Sequence, residues 1–397
     1  MVNHLFWGPH PNEQDGGGVV NYYLLKKLNQ ISPLDVYHGV PKVPEELDAS
    51  ALPWINYHFI ETAGMDIPSI MYSNEIQALN MFHIGRSEME SVIDPVHNIG
   101  GKLVLHQTIH WPDDDIFKSG RLSEIDKIVA PTEYAKRMFQ RVAKLPPENV
   151  PVIPHGVDLQ AFRRRPTILE RHLNIDKSRQ KVILYSGRLH YWKGLAQIIP
   201  IIRPLAKEFN CVFIIRGGAF QGVEESRKLA FIFNRLSTNN PNVIFLPEWR
   251  SPDFMEELFA MSDILLFNSA HEGFGCPLTE IQAVQGIPVA TAIPNHVEIL
   301  GRTGEVGVLL DPREKVGEVN DGRELFVATS DQLYGACKWL LENPDETEVM
   351  GRRGLRNVQT RFDLNKVAMS WLKMYAELLF GKDMEETAED RIMYKDE

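Results

Sequence analysis

ELFAMSDILLFNSAHEGFGCPLTEIQAVQGIPV, Glu257–Val289, is the stretch that decides the architecture. Asp263–Asn268 is an apolar run that reads as a strand, and Pro277–Val284 reads as a helix. Between them lies HEGFGCPLTE, His271 to Glu280. Pro277 fits the first helical position, where its missing N–H costs nothing. Gly273 and Gly275, just before it, let the backbone approach a ligand closely. A second strand, Pro288–Ala290, follows the helix, which is the βαβ rhythm of a parallel sheet.

The same rhythm extends outward in both directions. In the second half the strand candidates are Val182–Ser186, Cys211–Arg216, Val243–Leu246, Ile264–Asn268, Pro288–Ala290 and Gly307–Leu310. Helix patterns such as Leu195–Phe209 and Pro252–Met261 separate them. The first half offers His4–Trp7, Leu34–His38, Ser69–Tyr72, Met81–Ile84, Lys102–His106, Lys127–Ala130 and Pro151–Ile153. Phe162–Arg165, followed by Pro166, reads as a linker. The economical expectation is an α/β protein of two doubly wound sheets, with ligand loops at the carboxyl ends of the strands, facing a central cleft. The boundaries are set at 1–165, 166–363, a helix at 364–380 packing back toward the first domain, and a tail at 381–397. Leu364, Val367, Ala368, Trp371, Leu372 and Tyr375 give that helix one apolar stripe. Beyond Gly381 seven acids and three bases make a segment too polar to pack alone. Arg313–Ala328 reads as a surface insertion.

Composition narrows the function classes. At 397 residues, 44% hydrophobic and 24% charged, the chain has material for two cores. A net charge of -11 disfavours a general nucleic-acid binder. No apolar run approaches the roughly 20 residues of a membrane helix, and the first residues show no secretory pattern. With Cys211, Cys276 and Cys337 widely spaced, the expectation is a reducing, cytoplasmic setting. The basic face of Lys136, Arg137, Arg141 and Lys144, near Arg163–Arg165, is a candidate for peripheral contact with anionic lipid; the plainer reading is a solvated face.

Two turns carry the chemistry. The start of the helix after Gly275 suits phosphate, through free N–H groups and the helix dipole. Glu272 and Glu280 flank it, which suits a ligand with hydroxyls on both sides of a diphosphate, as in a nucleotide sugar. The second turn is SGRLHYWKG, Ser186 to Gly194, again between strand and helix. Arg188 and Lys193 are two cations placed to stabilise a leaving diphosphate.

With these motifs the chain resembles the family-4 retaining glycosyltransferases of the GT-B fold. The likeness runs from GGGVVNYYLLKKL (Gly16–Leu28) through KLVLHQTIH (Lys102–His110), KIVAPTEYAKRMF (Lys127–Phe139) and VPVIPHGVDLQAF (Val150–Phe162) to the Glu257–Val289 segment and VEILG (Val297–Gly301). The resemblance implies transfer of a hexosyl group, glucose or mannose, from a nucleotide diphosphate sugar to a hydroxyl of a sugar, lipid-linked or small-molecule acceptor. It implies Glu280 on the ribose hydroxyls and Glu272 on the donor sugar. Backbone groups of Gly273, Phe274, Gly275, Cys276, Pro277 and Leu278 would meet sugar and diphosphate, and Arg188 and Lys193 the diphosphate. Gly16, Gly17 and Gly18 would form a loop under the donor phosphate. His106 matches the active-site histidine, with His110 as its rival. Three departures stand out. AIPNHVEIL lacks the usual Gly pair, His190, Tyr191 and Trp192 make an aromatic turn, and Pro247 stands where many relatives have Gly. No Asp-x-Asp motif ends a strand, so no cofactor and no essential metal are expected; Asp113–Asp115 reads as a solvated loop. A nucleotide-sugar epimerase of the same fold and a non-catalytic nucleotide-sugar-binding protein remain as alternatives.

Overall fold

A computed structural model describes residues 3–9, 11, 16–31, 36–40, 55–109, 114–218, 223–248, 251–319 and 322–381. The chain divides into two compact units. The first takes in described residues up to Gly156 and those from Leu364 on; the second is Val157–Asp363. The division thus falls at Gly156/Val157, and residues 157–165, which the sequence reading gave to the first domain, count with the second. Helix Leu364–Phe380 has the bounds read from its apolar stripe and belongs to the first unit.

The first unit runs β1 (Asn3–Trp7), α1 (Gly16–Ile31), β2 (Val36–Val40), β3 (Asn56–Phe59), α2 (Ala63–Ser73), β4 (Ile76–Phe82), α3 (Arg86–Asn98), β5 (Lys102–His106), β6 (Lys127–Val129) and α4 (Glu133–Ala143). Its sheet has six strands, all parallel, in the order β3-β2-β1-β4-β5-β6. Alternation along each strand divides the core in two. Leu5, Leu79, Met81, Leu103 and Leu105 face Ile67 and Met71 of α2 and Val92 and Val96 of α3. Phe6, Ala78 and Val104 face Leu24 and Leu28 of α1 and the Trp371 helix.

The second unit runs α5 (Ile168–His172), β7 (Val182–Ser186), α6 (Leu195–Phe209), β8 (Val212–Arg216), α7 (Glu224–Asn239), β9 (Val243–Leu246), α8 (Pro252–Ala260), β10 (Ile264–Phe267), α9 (Cys276–Ala283), β11 (Ile287–Thr291), α10 (Pro294–Leu300), β12 (Val308–Leu310), β13 (Glu314–Glu318), β14 (Glu324–Val327), α11 (Ser330–Glu342) and α12 (Pro344–Arg361); α13 is Leu364–Phe380. Its parallel sheet repeats the first one's order, β12-β11-β10-β7-β8-β9. Burial on both faces explains why these strands read as unbroken apolar runs.

Some elements differ from the sequence reading. Ser69–Tyr72, read as a strand, lies inside α2, where Ile67 and Met71 are buried at helical spacing. The Asp66 carboxylate accepts from the amides of Glu61 and Thr62 at 2.8 and 2.7 Å and fixes the helix start. Met81–Ile84 is cut short because β4 ends at Phe82 and His83 turns left-handed, φ 51°. Pro151–Ile153 forms one bridge only, Ala130 to Val152; Pro151 has no N–H to donate. Arg313–Ala328 contains a hairpin, β13 antiparallel to β14. The tail beyond Gly381 lies outside the described residues.

Candidate active site

The order of the second sheet reverses between β7 and β10, which pair directly through Ile183 and Ile264. A ligand crevice is expected outside the carboxyl ends of such a strand pair. Both motif turns are there. Ser186–Gly194 leaves β7, and Asn268–Gly275 leaves β10.

After β7 the chain makes one 3-10 turn, Tyr191–Lys193, closed by the Lys193 N–H on the His190 carbonyl and the Gly194 N–H on the Tyr191 carbonyl, both 3.0 Å. Gly194 has φ 62° and abuts Asn268, so both backbone angle and space demand glycine. The Ala270 amide donates to the Trp192 carbonyl at 2.7 Å and stitches the two turns together. Asn268 is fully buried. Its Oδ1 accepts from the Thr291 hydroxyl at 2.7 Å and the Ala328 amide at 2.9 Å. Its Nδ2 donates to the carbonyls of Ala328 at 3.0 Å and Gly194 at 3.4 Å.

This framework brings Lys193 and Glu272, 79 positions apart in sequence, into an ion pair, Nζ to Oε1. The side chains are 14% and 12% exposed. The ammonium also stands 5.6 Å from the centre of the Phe267 ring. Burial alone pushes the Glu272 carboxyl up; the Lys193 charge and hydrogen bond outweigh it and hold the group at about 2. The Asn295 amide donates to the carbonyls of Glu272 and Gly273, so the departure noted in AIPNHVEIL serves to hold this turn. His296 is buried behind it, its Nδ1 2.8 Å from the Thr291 carbonyl oxygen, and burial lowers it to about 4.

α9 begins after Gly275 at φ 108°. Pro277 has no N–H, and the Leu278 amide donates to the Gly275 carbonyl at 2.9 Å, so those two residues present no free amide there. Gly273, Phe274 and Gly275 are buried beside them. Burial raises the Cys276 thiol well above its ordinary range, and the Glu280 and Glu272 carboxylates add to the shift. The shift keeps the thiol in its protonated form, with both carboxylates acting on it. Glu280, in the first turns of α9, is half-buried. Burial pushes its carboxyl up to about 7, against the pull of the Arg216 guanidinium. Among the described residues no hydrogen-bond donor reaches it. Arg188 is exposed on the β7 turn, its carbonyl accepting from the Tyr185 hydroxyl at 2.6 Å. His190 is lowered first by burial and then by Lys193 and Arg188, which puts both cations beside it.

The structure thus gathers Arg188, Lys193, Glu272 and the 273–280 turn at one end of one sheet. It adds two residues that the sequence reading missed, Asn268 and Arg216. Arg216 carries a visible signal, a charge ending the apolar strand Val212–Arg216; Asn268 looks like an ordinary residue after a strand.

The remaining candidates belong to the first unit. Gly16, Gly17 and Gly18 open helix α1 rather than forming a loop. Residue 110, the rival histidine, lies outside the described residues. His106 ends β5 but is 2% exposed. Its ring stacks on Phe82 at 4.3 Å and meets Trp371 at 5.0 Å and His155 at 5.3 Å. Neither ring nitrogen has a hydrogen-bond partner among the described residues. Burial first, then His155 and His83, keep the ring neutral. The exposed histidine of this edge is His83, its Nδ1 3.1 Å from the Thr108 hydroxyl. Of the acidic triplet, Asp114 caps a short turn through the Ile116 amide and Asp115 pairs with Arg86 and Lys118. Among the described residues no helix is long and apolar enough to cross a membrane, and no cluster of three metal-ligating side chains occurs. Arg137, Arg141 and Lys144 are exposed on and just after α4.

Known proteins bear on this arrangement. The family described as glycosyl transferases group 1 matches residues 170–354, which span both motif turns. A D-inositol 3-phosphate glycosyltransferase of Thermobispora bispora is 25% identical over 64% of this chain and 56% of its own length. A lipopolysaccharide 1,2-N-acetylglucosaminetransferase of Salmonella typhimurium is 22% identical over 67% of the chain and 69% of its own. The chain spans about half the length of the D-inositol 3-phosphate glycosyltransferases it matches. Among solved structures, a glycosyltransferase from Rickettsia africae aligns with TM-score 0.77 at 16% identity, covering 96% of this chain and 99% of that one. The Anabaena HepE protein, solved with UDP and glucose, aligns with TM-score 0.74 at 17% identity, covering 95% and 100%. These likenesses carry the GT-B fold, two doubly wound α/β domains in one chain. Residues 170–354, a little under half of the chain, are the part that is similar to the glycosyl transferases group 1 family.

Proposed function

We propose that the protein is a retaining, metal-independent glycosyltransferase that moves a hexosyl group from a nucleotide diphosphate sugar to a hydroxyl acceptor. The observation that carries this reading is the Lys193–Glu272 pair at the sheet reversal, with Glu280 behind it on α9. The names of its relatives, which transfer sugars, and the UDP and glucose held by the HepE protein support a UDP-sugar as the first donor to try.

The chemistry follows from the charges. In the unliganded site the ammonium of Lys193 and the carboxylate of Glu272 satisfy each other. An entering donor offers each a better partner, the diphosphate for Lys193 and sugar hydroxyls for Glu272. The bond from the anomeric carbon to the phosphate oxygen breaks, and the diphosphate gains negative charge. Lys193, Arg188 and the start of α9 stabilise that charge. The acceptor oxygen bonds to the anomeric carbon on the face the diphosphate leaves, and its proton passes to the departing phosphate oxygen. The products are a glycoside of unchanged configuration and a nucleoside diphosphate. The protein cations do what a bound Mg²⁺ would otherwise do. Glu280 as carboxylate receives the ribose hydroxyls.

The test is turnover of UDP-, GDP- and ADP-sugars with and without EDTA, the anomer of the product being read by NMR. One nucleotide class turned over with retention, at a rate indifferent to EDTA, is expected. Inversion, or loss in EDTA restored by Mg²⁺ or Mn²⁺, overturns the corresponding part.

A further inference from the structure

The β13–β14 hairpin stands outside the doubly wound rhythm, as a two-stranded antiparallel sheet that joins neither six-stranded one. It packs on the 3-10 turn that carries Lys193. At Gly317 the hairpin backbone meets the Tyr191 ring so closely that a β-carbon would sit 2.5 Å from Cε2. Gly317 has no left-handed φ, so the glycine is there for space. Beside it Gln197, in the first turn of α6, donates to Glu314 of β13 at 2.8 Å. Just past β14, Ala328 is clasped by Asn268, whose amide also reaches Gly194, the residue after Lys193.

We propose that the hairpin is a positioning element for Lys193, acting through the contact of Gly317 with the Tyr191 ring. Tyr191 and Lys193 belong to the same single turn, so a shift of the ring turns the Lys193 side chain relative to Glu272. The inference deepens the reading of Lys193 as the ammonium that meets the leaving diphosphate, and rests on it.

Gly317→Ala tests it. The added methyl forces the ring away by about 1 Å to reach ordinary carbon–carbon contact. Misplacement of a reacting group by that amount costs up to about a hundredfold in rate. The expected result is kcat lower by about ten- to a hundredfold, with donor KM within about twofold. In a Tyr191→Ala background, where the methyl has room, adding Gly317→Ala should change nothing further. With Lys193→Ala impaired, an unchanged kcat in Gly317→Ala, or the same loss in both backgrounds, overturns the proposal. Should Gly317→Ala fail to fold, Tyr191→Ala alone decides: a fall in kcat at constant KM supports the prop, and an unchanged kcat removes it. The positioning is also read without turnover, from the Glu272 carboxyl, whose ion pair with Lys193 sets its carbon-13 shift at pH 7. That shift should differ between Gly317→Ala and the parent at pH 7, and an unmoved shift contradicts the proposal. If the carboxyl moves while Lys193→Ala keeps full kcat, the hairpin claim stands and the role of Lys193 in transfer fails.

Discussion

Mild acid should unfold the first unit before the second. His4, His106 and His155 are all buried there and neutral. Burial lowers His4 and His155 from 6.5 to about 3, and His106 well below 6.5. In the unfolded chain each regains its ordinary value, so the unfolded state takes up protons that the folded state refuses. Their contribution is complete above about pH 6.5 and is lost as pH falls from there toward about 3. Between pH 7 and pH 5 His4 and His155 each withdraw about 2 kcal/mol, together about 4 kcal/mol, and His106 acts in the same direction. That is a large share of the stability of many domains. The second unit has one comparable histidine, His296, at about 4. Hydrogen exchange read by mass spectrometry, corrected for intrinsic rates at each pH, should show protection vanishing from β1, β5 and α13 by pH 5 while β7 and β10 keep theirs. His4→Phe keeps a ring against Tyr375, 4.0 Å away, and should reduce the slope of stability against pH by about 1.4 kcal/mol per unit. Equal protection of the first unit at pH 7 and pH 5, or an unchanged slope in His4→Phe, refutes the reasoning.

Three further outcomes follow from the second unit. Lys193→Ala should lower kcat by about a hundred- to a thousandfold with a smaller change in donor KM, because the charge it meets is greatest in the transition state; a rise in KM at constant kcat makes it a plain binding contact. Donor affinity, measured by calorimetry, should rise as pH climbs through about 7, since Glu280 must ionise to accept from ribose, and Glu280→Gln should bind weakly and flatly with pH. A wild-type affinity indifferent to pH between 6 and 8 removes Glu280 from that role. Asn268→Ala leaves the Thr291 hydroxyl and both Ala328 backbone groups without their partner, and should cost about 2–4 kcal/mol in denaturant unfolding; a loss below about 1 kcal/mol means that the network is replaceable.

Much of the second unit was legible because its strands are buried on both faces and announce themselves as apolar runs. Glycine and proline at Gly273, Gly275 and Pro277 marked the turn between β10 and α9 by their backbone requirements. Short elements were harder. Ile67, Ile70 and Met71 sit in α2, yet the run through Tyr72 carries strand-forming residues too, and only the capping by Asp66 decides between them. β3, with the sequence Asn-Tyr-His-Phe, is an edge strand without an apolar run. In the site, residue types were readable and partnerships were not. Lys193 finds Glu272 because β7 and β10 are neighbours in the sheet, a fact of topology. His106 is matched to the active-site histidine by resemblance, and its place beside Trp371 is a fact of packing that no local pattern reveals.

Titration of the wild-type protein and Lys193→Ala with UDP-glucose, GDP-mannose and ADP-glucose by calorimetry tests the central claim most directly. The account predicts that one of these donors binds the wild type at a single site, and that the corresponding nucleoside diphosphate binds more weakly to Lys193→Ala. Failure of every nucleotide sugar to bind the folded wild-type protein would contradict it.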